Sequence, residues 1–193
     1  MMHIEIIHRA DRPERVDVLQ REFMLQDING HIFSAIVGDL GWEGCRDSHL
    51  AVMKKCKSLK TFAIFEDDVK FLHPFSSLDI IMKQLPKEWD CLYLGGNPQK
   101  PQERYSLNLF RCTDTLCTHA IIWHNRKGGV INYILDHKDE IKKIDVFFRN
   151  EIQTNFNCFL TDPLICTQWQ YQSDTCRRSN VGAIAYNYSR YCI

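Results

Sequence analysis

Apolar positions along the chain come in short runs separated by amphipathic stretches. Ile4–Ile7 predicts a first strand. Asp11 and Pro13 then read as the N-cap and first-turn proline of a helix. Val16, Leu19 and Phe23 follow at i, i+3 and i+7, which carries that helix to about Gln26. Ile28–Gly30 reads as a turn, His31–Val37 as a second strand and Gly38–Gly44 as a glycine-punctuated loop. Ser48–Leu59 is helical in period, with Leu50, Met53 and Cys56 facing inward and Lys54, Lys55 and Lys57 outward. Thr61–Asp68 reads T-F-A-I-F-E-D-D. Its apolar part is what a strand covered on both faces looks like, and the run ends directly in adjacent carboxylates.

The second half continues the alternation. Leu78–Leu85 predicts a short helix, and Asp90–Leu94 a strand ending in Gly95 and Gly96. Asn97–Arg104 is polar with two prolines, which predicts a surface loop able to serve as a lid. Leu107–Arg111 and Thr118–Trp123 read as strands, and Gly128–Asp136 as a helix. Ile144, Phe147, Phe148 and Ile152 mark another helix. Phe156–Leu160 and Pro163–Thr167 are expected to close the sheet, and the stretch from Gln170 has no clear period. Strand–helix alternation from the start argues for an α/β fold with a largely parallel sheet.

Composition narrows the classes. A chain of 193 residues predicts one domain with a real core. Zero formal net charge argues against a nucleic-acid binder, which shows a basic excess. Met1–Arg9 is too short and polar for a secretory signal, and no stretch approaches a membrane span, so a cytoplasmic protein is expected. The nine cysteines are odd in number, contain no C-x-x-C and sit mostly in apolar runs, so they read as reduced core thiols. Cys112, Cys117 and His119 have poor spacing for zinc, and the Asn187 sequon means little without a secretory signal.

Three segments carry candidate chemistry. In extended geometry Glu66 and Asp68 point to one side and Asp67 to the other, giving an acid-x-acid pair at the carboxyl end of a strand. Open α/β sheets place their ligand crevice there. Hard oxygen ligands suit Mg²⁺ or Mn²⁺ bound together with substrate phosphates, although the same triplet would also serve as a helix cap. Arg9, Arg12 and Arg15 cluster where the first strand meets the first helix, a setting for anion recognition. Interleaved Asp11, Glu14 and Asp17 equally fit a solvated charged face, the reading favoured for Arg15. Ser48 and His49 follow Gly44 at a helix start and are placed to donate to a phosphate or a sugar hydroxyl. A lone Ser-His pair without a nucleophile elbow is no hydrolase signature.

Taken in order, these segments resemble glycosyltransferase family 25, which includes lipooligosaccharide glycosyltransferases and the procollagen galactosyltransferases. Ile6–Arg15 (I-I-H-R-A-D-R-P-E-R) is similar to that family's opening strand and Arg-rich turn. Gly41–His49 (G-W-E-G-C-R-D-S-H) is similar to its Gly-Cys-x-x-Ser-His segment, and Phe65–Val69 to its Glu-Asp-Asp motif. Asp90–Gly96, Thr118–Trp123, Ile144–Phe148, Pro163–Gln168 and Ser173-Asp174 also fit, so the resemblance runs through nearly the whole chain. Two departures are Gly-Trp-Glu-Gly before Cys45, where the family tends to Gly-Glu-x-Gly, and Ile7-His8 in place of Asn-Leu.

The resemblance implies a GT-A-type nucleotide-diphospho-sugar transferase fold, α/β with a mostly parallel central sheet flanked by helices. It implies one domain, residues 1–96 forming about the nucleotide-sugar and metal half and residues 97–193 the acceptor side. The implied reaction is metal-dependent, inverting transfer of a hexose, galactose or glucose, from a nucleotide-sugar such as a UDP-sugar to a carbohydrate or other hydroxyl. Asp68, with Glu66 or Asp67, would hold Mn²⁺ or Mg²⁺ against the diphosphate. Arg9, Arg12, Ser48, His49, Glu66 and Asp67 are the expected substrate-binding residues. Asp145, which opens an apolar helix, is the expected general base, with Asp174 and Asp114 as further candidates; an N-cap role suits Asp145 as well. Two other readings share the residues: a non-catalytic nucleotide-sugar or glycan-binding domain, and a metal-dependent phosphohydrolase.

Overall fold

The computed structural model describes residues 2–169. Asp174, Cys176, Cys192 and the Asn187 sequon therefore lie outside the described residues. The strands are β1 (His3–His8), β2 (His31–Ser34), β3 (Thr61–Glu66), β4 (Val69–Phe71), β5 (Cys91–Tyr93), β6 (Asn97–Pro98), β7 (Glu103–Ser106), β8 (Leu109–Arg111), β9 (Thr115–Leu116), β10 (Ala120–His124), β11 (Cys158–Thr161) and β12 (Cys166–Gln168). The helices are α1 (Glu14–Leu25), α2 (Gly41–Cys56), α3 (Leu78–Met82), α4 (Gly129–Asp136), α5 (Ile144–Phe147) and α6 (Gln153–Asn155), with a π-helical turn at Phe148–Ile152 between the last two.

An eight-stranded sheet in the order β2-β1-β3-β10-β5-β11-β8-β7 forms the centre. β2, β1, β3, β5, β11 and β7 run one way, and β10 and β8 run against them. The sheet draws strands from both halves of the chain, with β10 inserted between β3 and β5.

Period-two alternation sends neighbouring residues of β1 and β3 to opposite faces. On one face Ile4, Ile6, Ala63 and Phe65 pack with Leu19 and Phe23 of α1. On the other, Ile7, Phe62 and Ile64 pack with Val52 and Met53 of α2 and with Val130, Ile131 and Ile134 of α4. The sheet is thus covered on both sides, which is why Thr61–Phe65 reads as an uninterrupted apolar run.

Several local expectations change. Asp11 does not cap α1: its carboxylate accepts from Arg9 Nε at 3.0 Å and Nη2 at 2.6 Å, and the helix starts at Glu14 without a side-chain cap among the described residues. α2 starts at Gly41, well before Ser48, because the Glu43 carboxylate accepts from the Leu40 N–H at 3.2 Å and so satisfies a free donor of the first turn. The segment expected as a lid is pinned: β6 pairs with β9, and buried Gln102 accepts from the Thr113 N–H at 2.8 Å. β12 does not close the main sheet but pairs with β4 in a separate ribbon, which brings Gln168 beside Asp68. Among the described residues no helix is long and apolar enough to cross a membrane.

Candidate active site

The chain leaves β1 through α1 on one face to reach β2, then returns through α2 on the other face to β3. β1 therefore has successive strands on both sides, and the carboxyl ends of β1 and β3 flank a topological switch point. A cavity of about 100 Å³ opens there. Arg9 and Arg15, the Ala35–Gly38 strand exit, Cys45, Ser48 and His49 of α2, the three acids and Gln168 line it. Gly44 lets α2 approach: a Cβ there would collide with the Ile36 carbonyl.

The three carboxylates have three different environments. Asp67 is the most fully bound. Its Oδ1 accepts from Arg15 Nη1 at 2.8 Å, and its Oδ2 accepts from the Arg9 N–H at 3.0 Å and lies 2.9 Å from His8 Nδ1. Both Asp67 and Arg15 are buried. Asp67 thus ties β1, α1 and β3 together while it also lines the cavity. Arg15, expected on a solvated face, lies inside. Its spacing of four from Leu19 and eight from Phe23 was the available signal, since that puts it on the buried stripe of α1.

Glu66 Oε1 accepts from Thr118 Oγ1 at 2.6 Å and stands 3.1 Å from His49 Nε2. Burial pushes its carboxyl upward, but the His49 contact, the Thr118 hydroxyl and nearby His119 outweigh this and hold it below the usual range. Asp68 is buried, and Gln168 Nε2 donates to its Oδ2 at 2.9 Å. Among the described residues Asp68 Oδ1 has no hydrogen-bond partner. Burial, then the charges of Glu66 and Asp67, push the Asp68 carboxyl well above its ordinary value, with Arg15 and Gln168 opposing.

A thiol and two further groups border the acids. The Cys45 thiol is pushed well up by burial and then by Glu66, Asp145 and Asp68, so it stays protonated. Cys45, His49 and Glu66 present ligand atoms within 4.8 Å of one another. Buried His119 is held down to about 4 by burial, with Glu66 opposing, so it is neutral at pH 7.

The other expected residues are less uniform. Ser48 is fully buried, donates to the Gly44 carbonyl at 2.6 Å and accepts from the Ile36 N–H at 2.8 Å, which makes it a clamp between α2 and the strand exit. Arg9 lines the cavity while its guanidinium holds Asp11. Arg12 pairs with Glu14 at 3.9 Å and is not part of the cavity lining. Asp145 accepts from the Val146 N–H at 2.8 Å, and Lys143, not Asp145, is the N-cap of α5. Burial raises the Asp145 carboxyl, the Val146 N–H opposes, and Glu66 adds to the rise; Asp145 thus shares the field of the acids without lining the cavity. Asp114 pairs with Arg149 at 3.7 Å and borders a different surface hollow that shares no residue with the first. His8, Cys45, Thr118 and Gln168 are residues at the site that sequence reasoning did not single out, and Arg15 was weighed there but assigned to a solvated face.

No protein-family model matches the chain, and comparison with curated proteins returns no match. Two solved structures are similar over most of their length. One, titled as A197 from STIV, aligns over 93% of both chains at 12% identity with a TM-score of 0.49. The other is described as a glycosyltransferase involved in the glycosylation of the major capsid of PBCV-1. It aligns over 83% of this chain and 82% of its own at 10% identity, with a TM-score of 0.50. At that identity the likeness speaks of fold alone, and the chain has a glycosyltransferase-like mixed α/β fold.

Proposed function

We propose that this protein is a metal-dependent, inverting glycosyltransferase of GT-A type, similar to family 25. In this reading it moves a hexose from a nucleotide-sugar, a UDP-sugar for preference, to a carbohydrate hydroxyl. The observation that carries the reading is the Asp68 carboxylate: buried, flanked by two acids, one oxygen without a partner among the described residues, and facing a crevice at the switch point. Without a cation that group is driven toward its protonated form. The carboxylate donor set and the orphaned oxygen fit Mg²⁺ or Mn²⁺, with Asp68 and Glu66 as the holding residues. A cation bound there supplies charge neutralisation for a diphosphate leaving group.

The remaining roles belong to the chain itself. Arg9 lines the crevice with a cation suited to phosphate oxygens. His49 and Thr118 hold Glu66 in one orientation. Asp67, bound to Arg15 and His8, keeps the turn after β3 rigid, so that Asp68 stays aimed at the crevice. Asp145, its carboxyl raised by burial, stands outside the cavity lining and is the general-base candidate only for an acceptor hydroxyl that reaches it from beyond the crevice.

The test is thermal unfolding against a panel of nucleotide-sugars with and without Mn²⁺. A donor at a hundred times its dissociation constant adds about 2.7 kcal/mol. In a chain of this size that is a shift of about 5–11 °C. A shift that needs both Mn²⁺ and one donor is expected. No shift with any donor in folded protein overturns the proposal, and binding without turnover on any acceptor selects the non-catalytic alternative.

A further inference from the structure

A second group of metal-ligating side chains sits at the amino end of β1, the end away from the crevice. His3 and Glu5 lie on the strand face that α2 covers, and Cys56 is the last residue of α2. His3 Nε2 is 2.6 Å from Glu5 Oε1, and His3, Glu5 and Cys56 present ligand atoms all within 4.8 Å of one another. Glu5 is fully buried, and its Oε2 has no hydrogen-bond partner among the described residues. Cys56 is a buried free thiol. His31 is the register partner of Glu5 on β2, and its ring stacks on His3 at 5.0 Å and 24°.

A carboxylate in this position is expensive as a packing element, since burial strips its water. The ammonium of Lys55 lies 2.7 Å from Glu5 Oε1 and offsets part of that cost, but the side chain is 53% exposed and free to swing into solvent. What remains is an imidazole nitrogen, a carboxylate oxygen and a thiol sulfur within 4.8 Å of one another. Mg²⁺ and Ca²⁺ prefer oxygen alone, whereas the mixed set suits Zn²⁺.

We propose that His3, Glu5 and Cys56 form a Zn²⁺ site, with His31 or a water in the fourth position. On binding, the Cys56 thiol gives its proton to solvent and a metal–sulfur bond replaces the S–H. Lys55 leaves Glu5 for water with its charge unchanged. The metal ties the amino end of β1 to the carboxyl end of α2. The other end of β1 carries His8, with Arg9 next in the chain, and α2 carries Cys45 near its start and His49 at its middle, so occupancy stiffens the frame of the crevice without touching it.

Co²⁺ is the probe, added to the full chain after chelator treatment. A thiolate-to-cobalt charge-transfer absorption, saturating at one equivalent and displaced by Zn²⁺, is expected. It must vanish in Cys56→Ser and persist in Cys45→Ser, whose thiol lies beside the other His–Glu pair. Glu5→Gln should weaken Co²⁺ binding at least about tenfold, the loss already typical of outer-shell partners. Lys55→Met should strengthen it by removing the competing cation. Absence of the absorption in the wild-type protein, its survival in Cys56→Ser, its loss in Cys45→Ser, or weaker binding in Lys55→Met each overturns the proposal. None of these readouts depends on glycosyl transfer.

Discussion

Arg15→Met tests the frame beneath the acids. Arg15 Nη1 and Asp67 Oδ1 are 2.8 Å apart, and both side chains are only 6% exposed. Removing one member of such a pair costs about 3–5 kcal/mol, because the remaining charge is left buried without its partner. Asp67 keeps His8 and the Arg9 N–H on its other oxygen, which places the loss at the lower end, about 3 kcal/mol. Methionine retains an apolar stem, so packing contributes little to the change. At about 2–4 °C per kcal/mol the melting temperature should fall by about 6–12 °C. Urea denaturation at pH 7 measures this directly, and the Asp67→Asn and double variants complete a cycle. The double variant should cost clearly less than the two singles together, since each single strands a buried charge. A loss below about 1 kcal/mol for Arg15→Met, with no coupling to Asp67, would refute the assignment of this pair as the tie between β1, α1 and β3.

Three other outcomes follow from the same geometry. Asp68 has its folded-state value raised above 3.8, so its protonated form favours the fold at low pH and that contribution is lost as pH rises through the raised value. Asp68→Asn should therefore be more stable than wild type at pH 7 without metal, the gap should close below pH 3.8, and stabilisation by Mn²⁺ should disappear; urea midpoints with and without Mn²⁺ check all three. His119 is lowered from 6.5 to about 4, so its contribution is complete above 6.5 and is lost as pH falls through 4. The full span is worth about 3 kcal/mol, and His119→Gln should flatten that part of the pH profile relative to wild type, against the opposite slope from Asp68. Ser48→Ala should cost about 1–2 kcal/mol by freeing two hydrogen bonds, with nucleotide-sugar affinity, read by calorimetry, changed less than for Asp68→Asn.

How far the site was legible depends on the range of the contacts. Helix α4 and strands β1, β3 and β10 were readable because burial on one or two faces leaves a local period. The start of α2 was obscured by Gly41 and Gly44, residues that usually punctuate loops; here Gly44 serves the close approach to Ile36. The Asn97–Arg104 segment looks like a loop by composition, yet Gln102 and the β6–β9 pairing pin it through contacts more distant in sequence. Arg15 was hidden among alternating charges, although its helical spacing to Leu19 marked the buried face.

The sequence by itself determined that β3 would be buried and that three acids would stand at its carboxyl end. An uninterrupted apolar run can be satisfied only by cover on both faces, and the run ends where the acids begin. Only the tertiary structure decided what each acid does. His8 and Arg15, 59 and 52 residues before Asp67, claim that carboxylate. Thr118, 52 residues beyond Glu66, and His49 claim the second. Gln168, 100 residues beyond Asp68, reaches one oxygen of the third, and the other has no partner among the described residues. A local pattern encodes burial and period, whereas the partner of a charge is set by which strands lie side by side.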